Sequence, residues 1–153
     1  MLKVGDAVGS FDAQTSTGQN VSLEALRGTP FIVYFYPKSF TSGCTIETRR
    51  FASLYEDFKE LGVEVLGVSS DSVQVQCDFA DKMSASFPLV SDPAGKIYKA
   101  FGLSSLKMYR LVRRVTFFVD EQGKVEFATS VGINFHGHPM EMLEYAQARS
   151  EGA

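Results

Sequence analysis

The stretch FIVYFYPKSFTSGC, residues 31–44, decides the fold of this chain. Its first six residues are apolar or aromatic and do not alternate with polar residues, which predicts a β-strand buried on both faces of a sheet. Pro37 ends this strand. Apolar side chains then recur at helical spacing over 51–61, and Gly62 closes that pattern. The chain therefore passes from a buried strand into a helix, and Cys44 lies at the transition.

Strands and helices alternate on both sides of this stretch. Turn residues at 18–20 and 121–123 predict one hairpin near each end of the chain. The alternation predicts an α/β fold with a mixed central sheet flanked by helices, and the order, with its N-terminal β-hairpin, resembles the thioredoxin-like fold. The predicted strands are 11–13, 21–23, 31–36, 63–68, 88–90, 115–119 and 124–128, and further helices are predicted from Asp71 or Ser72 to about Ala85, from about Pro93 to Gly102 and from near Pro139.

Length and composition are those of a single-domain globular protein. With 153 residues, 44% of them hydrophobic and 22% charged, the chain is expected to form one domain over residues 1–153. A net charge of −3 argues against a general affinity for nucleic acid or anionic membranes, although basic residues cluster over 107–114. The longest apolar run, 30–37, is too short to span a bilayer. We therefore expect neither nucleic acid nor membrane as a partner.

The cysteine count and the N-terminus predict the compartment. Cys44 and Cys77 are too few for the disulfide framework of a small secreted protein. The first residues show neither a long apolar run nor a cleavage site of small residues. These features favour the cytoplasm, where thiols stay reduced.

Cys44 is the leading candidate for chemistry because of its place relative to the predicted helix. With Thr41 or Ser42 as the N-cap, Cys44 falls in the first helical turn. The unpaired N–H groups of that turn favour the thiolate, which is the nucleophilic form of cysteine. A pKa of about 6 would make the thiolate roughly 90% of the population at neutral pH. On position alone, a small structural residue near a helix start is an equal alternative.

The residues around Cys44 resemble a known active site. The spacing Pro37-x-x-x-Thr41-x-x-Cys44 resembles the motif of the peroxiredoxin family, and the flanking residues, with Glu47 after the cysteine, look most like the subfamily called peroxiredoxin Q or bacterioferritin comigratory protein. The resemblance covers nearly the whole chain. Further matching stretches are 4–6, 68–72, 87–92, 114–117 and 137–138.

This resemblance implies a role for each residue at a matching position. Cys44 would be the peroxidatic cysteine, whose thiolate attacks a hydroperoxide and becomes a sulfenic acid. Thr41 would hydrogen-bond the thiolate and the peroxide, and Pro37 would shield the pocket from water. Arg114 would stabilise the thiolate and the charge that develops on the peroxide oxygens. Without the resemblance, Arg114 is better interpreted as a surface cation, and its neighbour Arg113 is the alternative for the same role.

The resolving residue is where the chain departs from the subfamily. Many members carry a second cysteine five residues after the first, where this chain has Arg49. Others place it on the following helix, at a position that matches Ala80, about one turn from Cys77. Cys77 is thus a candidate resolving cysteine, which would form a disulfide with Cys44 once the first turn around Cys44 unwinds. The alternative is a structural Cys77 and direct reduction by an external thiol.

The resemblance implies a thiol-dependent peroxidase that reduces hydrogen peroxide and organic hydroperoxides and is itself reduced by thioredoxin or a glutaredoxin-like protein. A peroxide sensor that uses the same Cys44 is the alternative function. A thiol–disulfide oxidoreductase is disfavoured because Glu47 stands where a Cys-x-x-Cys motif needs its second cysteine. No cofactor and no metal are expected, since His136 and His138 alone are weak evidence for a metal site. The subfamily implies a monomer, with a dimer as the alternative.

Overall fold

A computed structural model describes residues 2–36, 39, 42–103, 115–129 and 137–152, and these residues form seven strands and four helices. The strands are β1 Asp12–Gln14, β2 Asn20–Ser22, β3 Phe31–Phe35, β4 Glu64–Ser69, β5 Leu89–Ser91, β6 Val115–Val119 and β7 Val125–Thr129. The helices are α1 Ser42–Glu60, α2 Val73–Met83, α3 Lys96–Ala100 and α4 Gly137–Glu151.

Five strands form the central sheet in the order β5-β4-β3-β6-β7. Strands β3, β4 and β5 run parallel to one another, whereas β6 is antiparallel to both β3 and β7. This mixed sheet with helices packed on it confirms the predicted α/β architecture. All five residues of β3 are buried, as predicted for a central strand covered on both faces.

Successive residues of β3 belong to two different cores, one on each face of the sheet. Val33 and Phe35 pack against the N-terminal hairpin and α3. Tyr34 packs into the other core, together with Tyr36 just beyond the strand and residues of α1, α2 and α4. Side chains alternate between the faces of a strand, so the apolar run without alternation matches a strand with a core on each side. Cys44 belongs to the second core.

The N-terminal hairpin is a separate two-stranded antiparallel sheet of β1 and β2. It confirms the predicted hairpin, although each predicted strand is displaced by one residue. The displacement arises where the pair continues beyond the regular strands, since the Leu23 N–H donates a 3.1 Å hydrogen bond to the Phe11 carbonyl oxygen. Phe11 and Leu23 are both buried in the first core, so the hairpin covers that face of the sheet.

The remaining predicted boundaries are close to the observed ones. Ser72 caps α2 by accepting a hydrogen bond from the Val75 N–H, which selects one of the two predicted caps. The helix ends at Met83, two residues before the predicted end, because Ser84 adopts a left-handed conformation with φ of 53°. The second predicted hairpin is the antiparallel pair β6–β7.

A charged cluster holds the last helix on the β6–β7 hairpin. The Arg149 Nε–H group donates to both carboxylate oxygens of Glu126, at 3.0 and 2.9 Å, and the guanidinium also pairs with Glu121. The Tyr145 hydroxyl donates to the same Glu126 carboxylate at 2.8 Å. The cluster therefore anchors the C-terminal part of α4, where Tyr145 and Arg149 lie, to the β6–β7 hairpin.

Candidate active site

Cys44 lies in the first turn of α1, as the sequence predicts, because the helix begins at Ser42. Its side chain is 0% exposed and packs in the second core with Tyr36 from the end of β3 and Ala80 from α2. The sulfur is a free thiol. The first N–H groups of a helix point toward such a position and stabilise a negative charge there. The start of a helix is thus a favourable place for negative charge, while burial keeps bulk water away from the sulfur.

Tyr34 supports the first turns of α1 from the sheet. Its hydroxyl lies 2.9 Å from the Thr48 Oγ1 atom, and its ring stacks on Phe51 with centroids 4.4 Å apart. Gly67 on β4 makes room for this phenol, since a Cβ atom at position 67 would lie 2.6 Å from the Tyr34 hydroxyl oxygen. Tyr34 thereby fixes the rotation of α1 relative to the sheet.

Tyr34 is neutral and therefore adds no negative charge near Cys44. Burial raises the pKa of Tyr34 well above its usual value, and negative charge on Tyr36, Glu47 and Cys44 raises it further, while the hydrogen bond to Thr48 opposes the shift. The phenol is therefore neutral at all physiological pH values. A neutral phenol places no negative charge beside Cys44 that would oppose its ionisation.

We predict that Tyr34 and Tyr36 ionise only when the protein unfolds. Burial raises the pKa of both phenols, whereas in the unfolded chain they titrate at about pH 10. The unfolded chain therefore loses these two protons at a lower pH than the folded protein does. Their contribution to the free energy of unfolding is complete below about pH 10 and decreases as the pH rises further. An alkaline titration followed by phenolate absorbance and circular dichroism checks this. Phenolate from the Tyr34 and Tyr36 positions in a still-folded protein would contradict it.

A closed ring of four hydrogen bonds includes Ser39, three residues before α1 begins, and no sequence signal predicted it. We call Ser39, Ser69, Asp71 and Gln76 together the Gln76 ring. Ser39 Oγ donates to Gln76 Oε1 at 3.1 Å, and Gln76 Nε2 donates to Ser69 Oγ at 3.0 Å. Ser69 Oγ and the Ser39 N–H each donate to Asp71 Oδ2 at 2.7 Å, which closes the ring. The ring joins the chain just ahead of α1 to α2.

Cys77 faces a different part of the molecule. It is half-buried, and its sulfur lies 3.7 Å from the Ser16 carbonyl oxygen, in the connection between β1 and β2. Ala80, which the family resemblance matches to the resolving position of some members, packs instead in the core that contains Cys44. Both cysteines are free thiols. The structure therefore places Cys77 near the expected region but beside Ser16 rather than in the core around Cys44.

Several residues singled out in the sequence lie outside the described residues, namely Pro37, Thr41, Arg113, Arg114 and His136. Arg49, which the family resemblance matches to the second cysteine of many members, is exposed on α1. Where the structure describes the chain, no three His, Cys, Asp or Glu side chains are grouped so that they could hold a metal ion. In those same ranges, no helix combines the length and the apolar character needed to cross a membrane.

Comparison with known proteins gives a consistent result. The model of the AhpC/TSA family matches residues 4–128. Peroxiredoxin Bcp of Escherichia coli K12 is 34% identical over 130 residues, 82% of this chain and 83% of that protein. The chloroplastic peroxiredoxin Q of Oryza sativa subsp. japonica is 33% identical over 144 residues, 94% of this chain, and the chain spans 66% of the length of that relative.

A solved structure is similar over the full fold. The bacterioferritin comigratory protein of Xanthomonas campestris, whose structures were described in connection with its alkyl peroxide reduction activity, aligns with a TM-score of 0.82 and 32% identity. The alignment covers 95% of this chain and 99% of that one.

Proposed function

The chain belongs to the AhpC/TSA family as a thiol-dependent peroxidase of the peroxiredoxin Q/Bcp type, and from this premise we propose that Cys44 is its peroxidatic nucleophile. The Cys44 thiolate attacks the terminal oxygen of a hydroperoxide and breaks the O–O bond. The sulfur is oxidised to a sulfenic acid, and the alkoxide or hydroxide that leaves takes up a proton to become an alcohol or water. Its hydroperoxide substrates include hydrogen peroxide and organic hydroperoxides.

The observation that carries this proposal is the position of Cys44 in the first turn of α1, with no exposed surface. A thiolate needs donors that are already oriented, because water is excluded from the site and cannot solvate the charge. The N-terminal N–H groups of α1 meet that requirement without moving. We assign Thr41 as a further hydrogen-bond donor, Pro37 as a shield against water and Arg114 as the cation that stabilises the transition state.

The physiological reducing partner is of the thioredoxin type, and the choice between thioredoxin and a glutaredoxin-like protein is part of this proposal. Consumption of NADPH in the presence of hydrogen peroxide and a complete thioredoxin system tests turnover directly. The same assay with glutathione, glutathione reductase and glutaredoxin tests the second donor. Turnover with neither system would argue for the sensor alternative, which the names of the matched relatives do not favour.

We propose Cys77 as the residue that resolves the sulfenic acid. Its thiol attacks the Cys44 sulfur, the S–O bond breaks, and the oxygen leaves as water, so that a disulfide replaces one sulfenic acid and one thiol. Cys44 is fully buried while Cys77 faces Ser16. The first turn of α1 must therefore unwind before the two sulfurs can meet with disulfide geometry.

We predict that one equivalent of hydrogen peroxide converts the reduced protein into a species lighter by two hydrogens, with a Cys44–Cys77 crosslink in its peptide map. The Cys77→Ser variant, which has no second thiol, is expected to accumulate the Cys44 sulfenic acid, detected by a dimedone adduct. Mass spectrometry of intact and digested protein distinguishes the two. A stable sulfenic acid in the unaltered chain would contradict the assignment and leave reduction to an external thiol.

The oligomeric state and the cellular compartment of the protein stay predictions. The monomeric state implied by the subfamily is checked by light scattering of the reduced and oxidised protein. The cytoplasmic compartment also stays a prediction, and the plant relatives are by name chloroplastic.

A further inference from the structure

We propose that Gln76 is a positioning residue for the Cys44 reaction, because it ties the end of β3 and Ser39 to α2 and so sets how often Cys44 becomes exposed. The inference rests on the proposed function of Cys44, and it concerns the access of other molecules to that sulfur. Cys44 is 0% exposed, so a reducing thiol reaches it only after its surroundings move. The bonds that break in that movement determine its frequency.

The side-chain amide of Gln76 has all its hydrogen-bonding capacity used. Gln76 is 0% exposed. Its Oε1 accepts from the Tyr36 hydroxyl at 2.5 Å and from Ser39 Oγ at 3.1 Å, and its Nε2 donates to Ser69 Oγ at 3.0 Å and to the Val90 carbonyl oxygen at 2.8 Å. The Val90 oxygen can only accept, which fixes the orientation of the amide. Two donors and two acceptor sites are thus matched in a buried position.

The ring gives Ser39 two separate attachments. Its hydroxyl binds Gln76 on α2, while its backbone N–H binds Asp71, in the segment between β4 and α2. Ser39 is itself 3% exposed, so its bonds lie in a largely desolvated environment where they are stronger than in water. Ser39 lies five residues before Cys44 in the sequence. The ring therefore ties to α2 the chain three residues before α1 begins, and any movement of Ser39 away from α2 breaks these bonds.

Tyr36 extends the ring toward the helix that carries Cys44. Its hydroxyl binds Gln76, and its ring stacks on Tyr34 with centroids 5.5 Å apart and an interplanar angle of 26°. Tyr34 in turn holds α1 through Thr48. Gln76 is adjacent in sequence to Cys77. The ring is therefore anchored on α2 next to the residue that carries the proposed resolving thiol.

The experiment measures the alkylation rate of Cys44 by N-ethylmaleimide in a Cys77→Ser background, followed by mass spectrometry. Loss of the Ser39 hydroxyl in Ser39→Ala removes one bond of the ring and is expected to raise this rate about fivefold, the shift that one net hydrogen bond gives. Gln76→Met has a similar volume but no polar atoms to replace the four bonds, and we expect a larger increase, of about tenfold or more. Gln74→Met is the matched control, since Gln74 lies exposed on the same helix.

A general loss of stability is separated from this effect by Arg149→Ala, which breaks the charged cluster at the far end of α4. We expect Arg149→Ala to lower the melting temperature while leaving the alkylation rate at the parent value. Equal rates for Ser39→Ala and Gln74→Met would overturn the proposal, as would an Arg149→Ala variant that is alkylated as fast as Ser39→Ala. If Gln76→Met does not fold, Ser39→Ala decides alone.

Failure of this proposal is distinguishable from failure of the proposed function. Alkylation requires a thiol that can be reached and does not require that thiol to reduce peroxide. A normal peroxide reaction at Cys44 combined with unchanged alkylation in Ser39→Ala would overturn the role of Gln76 alone. The opposite combination would be faster alkylation in Ser39→Ala together with peroxidase activity that survives in Cys44→Ser. That combination would overturn the assignment of Cys44 as the nucleophile and leave the role of Gln76 standing.

Discussion

Replacement of Cys44 by serine is expected to lower kcat/KM for hydrogen peroxide on the order of 10³-fold or more. A serine hydroxyl at the start of α1 would meet the same N–H groups, but it ionises far less readily than a thiol and cannot form a sulfenic acid. The substitution is nearly isosteric in a fully buried position, so the fold should persist. NADPH consumption with a thioredoxin system and hydrogen peroxide measures the loss.

The matched comparison is Cys77→Ser in the same assay. This variant is expected to consume one peroxide per chain in a rapid first phase and then to turn over more slowly, because only the second step involves Cys77. The two variants therefore differ in the burst, which Cys44→Ser lacks. Turnover by Cys44→Ser at the parent rate would remove Cys44 from the mechanism.

The second large effect is expected for Arg114→Met, with a loss of about 10²-fold in kcat/KM. The guanidinium both favours the thiolate and stabilises charge on the peroxide oxygens, so its removal should also raise the pH at which the peroxide reaction reaches half its maximal rate. The rate of sulfenic acid formation as a function of pH measures both effects together.

Arg113→Met is the control for this prediction, because it removes the same charge one residue earlier. The family resemblance assigns the catalytic cation to Arg114 and not to its neighbour. We expect Arg113→Met to keep the parent activity. The reverse result would move the catalytic cation to Arg113, and equal losses would show that only the net charge matters.

The fold could be predicted from the sequence because its decisive signals are local. The unbroken apolar run of β3 and the helical periodicity over 51–61 each depend on residues close together in the chain. The Ser72 cap and the hairpin turns could be predicted for the same reason. The hairpin strands shifted by one residue where a non-local contact, the Phe11–Leu23 hydrogen bond, extends the pair. The end of α2 shifted by two residues because Ser84 adopts a left-handed conformation.

The site was predictable only in part, because its parts come from distant positions in the chain. The position of Cys44 in the first turn of α1 followed from the strand-to-helix transition and is confirmed. Gln76 gave no signal, since a single glutamine on an amphipathic helix is usually a solvated residue, and its partners Tyr36 and Ser39 lie about 40 residues earlier. Pro37, Thr41 and Arg114 stay predictions.

The missing side chain of Gly67 has a consequence for how this protein can vary. A single methyl group at that position would overlap the Tyr34 phenol and push it away from Thr48 on α1. A side chain at position 67 is therefore acceptable only together with a smaller residue at position 34, and neither change is favourable first. Substitutions at positions 34 and 67 should therefore occur together in related sequences, so a glycine on β4 restricts which residue can support α1 from β3.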